Sequence, residues 1–198
     1  MKTDKATDGD FRFNIYMSGV GGQGIGVLSE VLLRAYDNAG FTVKGVDTHG
    51  LAQRGGMVQS HLRVGCSGGS PLIEPGTADL AVSLERTEAY RALIRQIRTG
   101  GTLIYFNTSW QSLGVRTGAE KEITIDDIRN EAARRDIRVY EVLDDRLPDV
   151  RMQNMMLLSG ALKENILEGI TCGDIEAALT SLFSGDLLKR NLKILGCL

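Results

Sequence analysis

Residues 11–26 read FRFNIYMSGVGGQGIG, and residues 25–40 continue as IGVLSEVLLRAYDNAG. The first stretch begins with an apolar run that is typical of a buried strand, and it then breaks into glycines. In the second stretch, apolar residues recur with the three- and four-residue spacing of an amphipathic helix. A strand, a glycine turn and a helix in this order predict an α/β domain with a mainly parallel sheet.

The glycine turn has the spacing G-x-G-x-x-G, with glycines at Gly19, Gly21 and Gly24. This Rossmann-like spacing permits a tight turn, close approach of the backbone to a phosphate, and close packing of the following helix. The free backbone N–H groups of such a loop are expected to point at an anion above the helix N-terminus. The same spacing also fits a helix that packs tightly after a strand without any ligand.

A second unusual loop, HGLAQRGG at residues 49–56, lies between the strand-like runs FTVKGVDT and MVQSHLRVG. A plain turn needs only one or two glycines, whereas three glycines surround Gln53 and Arg54 here. The composition therefore indicates a backbone shaped to present these two side chains. The alternative is an ordinary connection between two strands.

Six segments between Phe11 and Gly196 together resemble a known family. They are GVGGQGIGVLSEVL, VDTHGLAQRGGMVQSHLRVG, IEPGTADLAVSLERTEAYR, GGTLIYFNT, MQNMMLLSGAL and the terminal NLKILG. Together these segments resemble the gamma subunit, or gamma domain, of 2-oxoacid:ferredoxin oxidoreductases. Within that family, the form HG-x-AQRGG is most similar to the small subunit of indolepyruvate:ferredoxin oxidoreductase.

The resemblance implies oxidative decarboxylation of a 2-oxoacid, indolepyruvate or another aryl pyruvate, to an acyl-CoA with reduction of ferredoxin. Thiamine diphosphate and iron–sulfur clusters are then expected in a large partner subunit, with ferredoxin reached through the complex and coenzyme A as co-substrate. This chain is expected to hold no cofactor or catalytic residue of its own, to be inactive alone, and to contribute to assembly and to the coenzyme A region. The residues expected to contact coenzyme A or the partner are Gly19, Gly21, Gly22, Gln23, Gly24, Gln53 and Arg54.

Such a subunit should also keep an apolar patch that its partner normally covers. We expect this patch near the two glycine loops or near Met152–Met156, and isolated chains can form homodimers through it. The stretch from Val150 to Gly169 is rich in methionine and leucine, a pattern that is more typical of a core than of a binding surface.

Length, charge and hydropathy limit the number of domains and the classes of partner. The chain has 198 residues, enough for one sizeable core, so residues 11–198 are predicted to form a single domain after a disordered N-terminus at residues 1–10. With 23 basic and 25 acidic residues and no basic stripe, nucleic acid is not an expected partner. No apolar stretch approaches the roughly 18 to 20 residues that span a bilayer, and the first ten residues mix lysines with acids. A cytoplasmic location, with no membrane partner, is expected.

Three sequence features suggest other chemistry but fit it poorly. Cys66, Cys172 and Cys197 are too far apart to bind an iron–sulfur cluster together and are predicted to be reduced, buried thiols. GCSGG at residues 65–69 matches a hydrolase motif, yet the residues after Ser67 cannot start the helix that this motif requires. Asp47, His49 and His61 lack the spacing of a metal site.

The main rival function is an NAD(P)-binding Rossmann-type domain. Asp47 ends the second predicted strand, near the position of the acid that binds the adenine ribose in such domains. However, no second half with a catalytic His, Lys or Tyr follows, and the Gln53–Arg54 loop stays unexplained. A non-catalytic scaffold is the third possibility.

The rest of the chain predicts a three-layer α/β/α sandwich. Strands are expected at 78–84, 102–107 and 137–142, with an antiparallel strand at 57–65. A helix within 85–101 is predicted to place Leu93, Ile94 and Ile97 on one face and to stop at a glycine. Further helices are expected at 125–136 and, as the final one, at 173–183 with Asp174 near its start.

Overall fold

The protein is described by a computed structural model that covers residues 11–49, 56–110, 115, 117–119, 121–143 and 152–196. The expected disordered N-terminus at 1–10 lies outside the described residues, as do Gln53, Arg54 and Cys197. Within the described residues, no helix is both long and apolar enough to span a bilayer.

Six strands of the described chain form one sheet. They are β1 (Phe13–Val20), β2 (Val43–His49), β3 (Met57–Val64), β4 (Ala78–Ser83), β5 (Ile97–Phe106) and β6 (Arg138–Val142). Their order across the sheet is β2-β3-β1-β4-β5-β6. β1, β4, β5 and β6 run parallel, and β3 runs antiparallel to both of its neighbours, β1 and β2. The predicted mainly parallel sheet with an antiparallel strand at MVQSHLRVG is confirmed.

Helices cover both faces of this sheet. They are α1 (Ile25–Asn38), α2 (Arg86–Arg95), α3 (Ile125–Arg134), α4 (Gln153–Lys163), α5 (Cys172–Leu182) and α6 (Gly185–Leu195). One apolar core joins α1, α4, α5 and α6 to one face, and a smaller core joins α2 and α3 to the other. The predicted three-layer α/β/α sandwich is therefore confirmed.

Local sequence explains where several helices begin and end. α1 ends where Gly40 adopts a φ of 90°, which lets the N–H of Phe41 bond back to the carbonyl of Tyr36. α5 begins with a capping box in which Thr171 and Asp174 each bond the other's backbone N–H, as the acid near its start predicted. α3 begins with the same device.

The prediction for residues 85–101 is partly wrong. α2 ends at Arg95, Ile94 is 42% exposed, and Ile97 begins β5, where it pairs with Ala78 of β4. Only Leu93 of the predicted apolar face is buried on α2. Pairing with the neighbouring strand overrides the helical period here, since strand pairing depends on residues distant in sequence.

Two further predictions need correction. The helix at 173–183 is not the last one, because α6 follows it and begins at Gly185, whose φ is 59°. Cys66 is buried and free as predicted, but Cys172 is disulfide-bonded, so the prediction of a reduced thiol there is wrong. Cysteine spacing along the chain does not determine which sulfurs meet in the fold. Met155, by contrast, is buried in the core as its surroundings predicted.

Candidate functional site

The sheet has one topological switch point, between β1 and β4. From β1 the chain crosses through α1 to β2 on one side, whereas from β4 it crosses through α2 to β5 on the other side. The two helices lie on opposite faces of the sheet, so a crevice is expected at the carboxyl ends of β1 and β4. In open α/β sheets, ligands bind in such a crevice. The glycine loop that follows β1 lies there.

The floor of this crevice is a buried polar contact between the two strands. The hydroxyl oxygens of Ser18 and Ser83 lie 2.8 Å apart. One residue further, the N–H of Leu84 donates to the carbonyl of Ser18 at 2.9 Å. These bonds hold the carboxyl ends of β1 and β4 together directly below the glycine loop.

Two glycines of the loop have left-handed backbones. Gly22 has a φ of 103° and Gly24 a φ of 87°, conformations that favour residues without a Cβ. Gly22 also borders open space, because a Cβ built on it would meet no atom within 4 Å. Gly24 is the N-cap of α1, and no described side chain caps this helix. The first turn of α1 therefore keeps donors that suit an anion.

The expectation that the loop's N–H groups are free is wrong for Val20, Gly21 and Gln23. The N–H of Val20 donates to Oε1 of Gln23 at 2.8 Å, and that of Gly21 to the carbonyl of Gly56 at 2.9 Å. The N–H of Gln23 donates back to the carbonyl of Val20 at 3.1 Å. The loop closes on itself and on the start of β3, so it offers fewer donors than an open phosphate cradle.

The side chain of Gln23 points into the protein. It is 6% exposed, and its Nε2 donates to the carbonyl of Leu84 at 3.0 Å and to Oε1 of Gln153 at 3.4 Å. Gly19 makes room for it, since a Cβ on Gly19 would lie 2.9 Å from Oε1 of Gln23. The proposed ligand contact of Gln23 would require these internal bonds to break.

The N-terminus of α4 also reaches this loop, which the sequence interpretation missed. Nδ2 of the buried Asn154 donates to the carbonyl of Gly24 at 3.2 Å. For the stretch from Val150 to Gly169 the sequence predicts core packing, with Met152–Met156 as an alternative location for the partner patch, and no contact with the glycine loop. Its adjacent Gln153 and Asn154 were the available signal, because buried amides need hydrogen-bond partners.

A second missed group lies at the same edge of the sheet. The carboxylate of Glu85 is 1% exposed, and its two oxygens accept the N–H groups of Glu88 and Trp110 at 2.9 and 3.0 Å. The side chain of Trp110 is nevertheless 61% exposed. A buried carboxylate thus fixes the backbone of an exposed aromatic residue.

Asp47 and His61 lie on opposite faces of the sheet. Asp47 pairs with Ser60, whose hydroxyl donates to Ser29 of α1, so Asp47 faces α1. On the other face, Nδ1 of His61 accepts the N–H of Ile73 at 3.2 Å, and burial lowers the pKa of His61. A shared metal site for these two residues is ruled out by this geometry. The side chain of His49 is not described.

The strand order does not support the NAD(P) alternative. In a dinucleotide-binding domain the acid follows the strand adjacent to β1. Here β3 lies between β1 and β2, so Asp47 follows a strand that is not adjacent to β1. Its Oδ2 nevertheless lies 3.6 Å from the position of a Cβ on Gly26, in the first turn of α1. Ser67 is exposed in an irregular segment with no helix before Arg86, so the hydrolase geometry does not fit either.

One described cavity lies away from the crevice. It has a volume of about 200 Å³ and is lined by Arg12, Asp79 and Arg98 among others. These residues lie at the amino ends of the parallel strands, the opposite edge of the sheet. This cavity is therefore not part of the candidate site.

Comparison with known proteins adds to this geometry. The family described as pyruvate ferredoxin/flavodoxin oxidoreductase matches residues 14–197. The indolepyruvate oxidoreductase subunit IorB of Archaeoglobus fulgidus is 32% identical over 189 residues, which cover 93% of this chain and 92% of that protein.

Solved structures share the fold. The pyruvate oxidoreductase subunit PORC of Thermotoga maritima superposes with a TM-score of 0.64 at 18% identity and covers 93% of both chains. A 2-oxoglutarate:ferredoxin oxidoreductase from Magnetococcus marinus, solved with 2-oxoglutarate, coenzyme A and succinyl-CoA bound, has a TM-score of 0.66 at 17% identity. The match covers 93% of the present chain and 30% of that longer one.

Proposed function

Because this chain belongs to the pyruvate ferredoxin/flavodoxin oxidoreductase family, we propose that it acts on indolepyruvate or another aryl pyruvate as the small subunit of a 2-oxoacid:ferredoxin oxidoreductase. The near full-length match to an indolepyruvate oxidoreductase subunit carries this proposal. The reaction converts the 2-oxoacid to an acyl-CoA and carbon dioxide and passes two electrons to ferredoxin. The cytoplasmic location expected from the sequence stays a prediction.

The partner subunit is proposed to hold the redox cofactors. Thiamine diphosphate and iron–sulfur clusters bound there supply the decarboxylation and the electron transfer. In this chain, the described residues include no group of three or more metal-ligating side chains, and Cys172 is already disulfide-bonded. Its own residues therefore serve binding and assembly in this proposal.

Coenzyme A is proposed to approach the crevice above the glycine loop. The uncapped first turn of α1 suits an anionic group, and Gly22 leaves space for one. Gln53 and Arg54, outside the described residues, are proposed to contribute from the following loop. Arg54 would supply a planar guanidinium for a phosphate or a carboxylate.

The large subunit is proposed to cover the carboxyl edge of the sheet. Val27 and Met57, which lie beside the glycine loop, are 38% and 40% exposed, and Trp110 and Leu143 are exposed at the same edge. Met155, in the alternative location expected from the sequence, is buried. A patch with an exposed tryptophan is typical of interface anchors.

Reconstitution with the large subunit tests the proposal. The isolated chain should be colourless and inactive, and indolepyruvate-dependent reduction of ferredoxin should appear only when both subunits are present. Trp110 is the chain's only tryptophan, so its fluorescence should shift to shorter wavelength when the partner covers it. An iron–sulfur absorption band or turnover from the isolated chain would refute the assignment of cofactors.

The substrate and the rival function need separate assays. Turnover of pyruvate or 2-oxoglutarate well above that of aryl pyruvates would refute the proposed substrate class. Calorimetric titration of the isolated chain with NAD should show no binding, and micromolar binding would favour the rival instead.

A further inference from the structure

The carboxamide of Gln23 can be oriented in only one way. Its Oε1 is the acceptor for the N–H of Val20, so Nε2 must face the carbonyl of Leu84 and Oε1 of Gln153. A carboxamide has one acceptor oxygen and two donor hydrogens, and this arrangement uses both kinds of group. One side chain thus links the ends of β1 and β4 to the N-terminus of α4.

Gln23 also closes the loop to which it belongs. Two bonds join Val20 and Gln23, one through the side chain and one from the N–H of Gln23 to the carbonyl of Val20. Gln23 is therefore a buried anchor among the three glycines that connect β1 to α1, which are Gly21, Gly22 and Gly24. Without that anchor, glycines would leave the backbone many conformations.

The Gln23 anchor also explains why residue 19 is a glycine. A Cβ there would lie 2.9 Å from Oε1 of Gln23 and 3.1 Å from Cγ1 of Ile25. The first glycine of G-x-G-x-x-G thus accommodates the Gln23 anchor and the packing of α1.

We infer that Gln23 is a positioning residue, which holds the glycine loop and the first turn of α1 in the conformation that receives an anionic group, and does not itself contact that group. This inference rests on the proposed function of the same loop. It replaces the ligand contact that the sequence resemblance implied for Gln23.

Three variants separate positioning from contact. Gln23→Glu replaces the Nε2 donor with an oxygen that faces the carbonyl of Leu84, and it buries a charge. Gly19→Ala displaces Gln23 without changing it. Asn165→Asp, at an exposed position at the opposite edge of the sheet, is the control for an amide-to-carboxylate change.

Two readouts are needed. Hydrogen–deuterium exchange of the full-length isolated chain measures the order of the loop, and steady-state kinetics of the reconstituted complex measure KM for coenzyme A and for indolepyruvate. For Gln23→Glu and Gly19→Ala we expect the amides of Val20, Gly21 and Gln23 to exchange at least tenfold faster and KM for coenzyme A to rise at least fivefold. KM for indolepyruvate should stay within twofold of the wild-type value. Asn165→Asp should match the wild type in exchange rates and in both KM values.

Several results would overturn the inference. Faster exchange with an unchanged KM for coenzyme A would make Gln23 structural only. Gln23 would instead be a direct contact if two results came together. Gln23→Glu would raise KM for coenzyme A with normal exchange, and Gly19→Ala would be normal in both readouts. A wild-type complex that turns over without coenzyme A would refute the proposed function, and the exchange data would then decide alone whether Gln23 holds the loop.

Discussion

The hydroxyl oxygens of Ser18 and Ser83 lie 2.8 Å apart at the switch point between β1 and β4, where both side chains are buried. Ser18→Ala removes one partner and leaves the other hydroxyl without its buried bond, which should lower the free energy of unfolding by about 1–2 kcal/mol. The double variant with Ser83→Ala should cost clearly less than the sum of the two single variants. Urea denaturation of all four proteins measures this, and additive effects would contradict the direct bond.

Gly65 and Gly76 offer a matched comparison of backbone strain. Both have positive φ, 73° and 76°, so alanine is strained at either position. A Cβ on Gly65 would also overlap the carbonyl oxygen of Phe11, whereas one on Gly76 would meet nothing within 4 Å. Gly65→Ala should therefore destabilise the fold by about 1–3 kcal/mol more than Gly76→Ala. Equal loss in thermal unfolding of the two variants would refute the predicted close packing of Phe11 on Gly65.

His61 should make stability depend on pH. Burial lowers its pKa in the folded chain, so its contribution to stability is present above its ordinary pKa of about 6.5 and is lost as the pH falls towards the lower folded value. His61→Asn keeps an acceptor for the N–H of Ile73 but does not titrate. Between pH 7.5 and 5, wild type should lose more free energy of unfolding than His61→Asn, as measured by urea denaturation at each pH. Parallel losses would show that His61 is not responsible.

Arg54 should affect binding but not folding. Arg54→Ala should weaken coenzyme A binding or complex formation by roughly 1.5–3 kcal/mol, about one to two decades, because a charge-assisted contact is lost. Arg54→Lys should recover only part of this, since an ammonium lacks the bidentate fork. Arg54→Ala should barely change the melting temperature. Arg34→Ala is the control and should also barely change it, because the half-exposed Arg34 side chain pairs with Glu30 on α1. If Arg54→Ala leaves both affinities unchanged and lowers the melting temperature by several degrees, the arginine is structural.

Several local features could be predicted from the sequence because short-range physics decides them. The apolar spacing of residues 25–38 and the glycine at Gly40 are sufficient for α1, and Asp174 near the start of α5 is sufficient to expect its cap. The alternation of strands and helices indicates the three-layer sandwich. The family resemblance likewise depends on motifs that can be read directly along the chain.

The candidate site is different, because its geometry depends on residues far apart in sequence. The glycine spacing indicates a tight turn, but it cannot tell whether the N–H of Gly21 is free or donates to Gly56. In the same way, the orientation of Gln23 depends on Leu84 and Gln153, which lie 61 and 130 residues away. Neither bond could be anticipated before the strand order was known.

The sequence by itself determined most of the element types, the glycine spacing of the first loop and the family to which the chain is related, since each of these depends on neighbours within a few residues. Only the tertiary structure decided that β3 lies between β1 and β2, that Asp47 and His61 face opposite sides of the sheet, and that Gln23 points inward. The physical reason is that a buried polar group must find its partner wherever the fold brings one, and strand order, which places those partners, is not encoded in any local pattern.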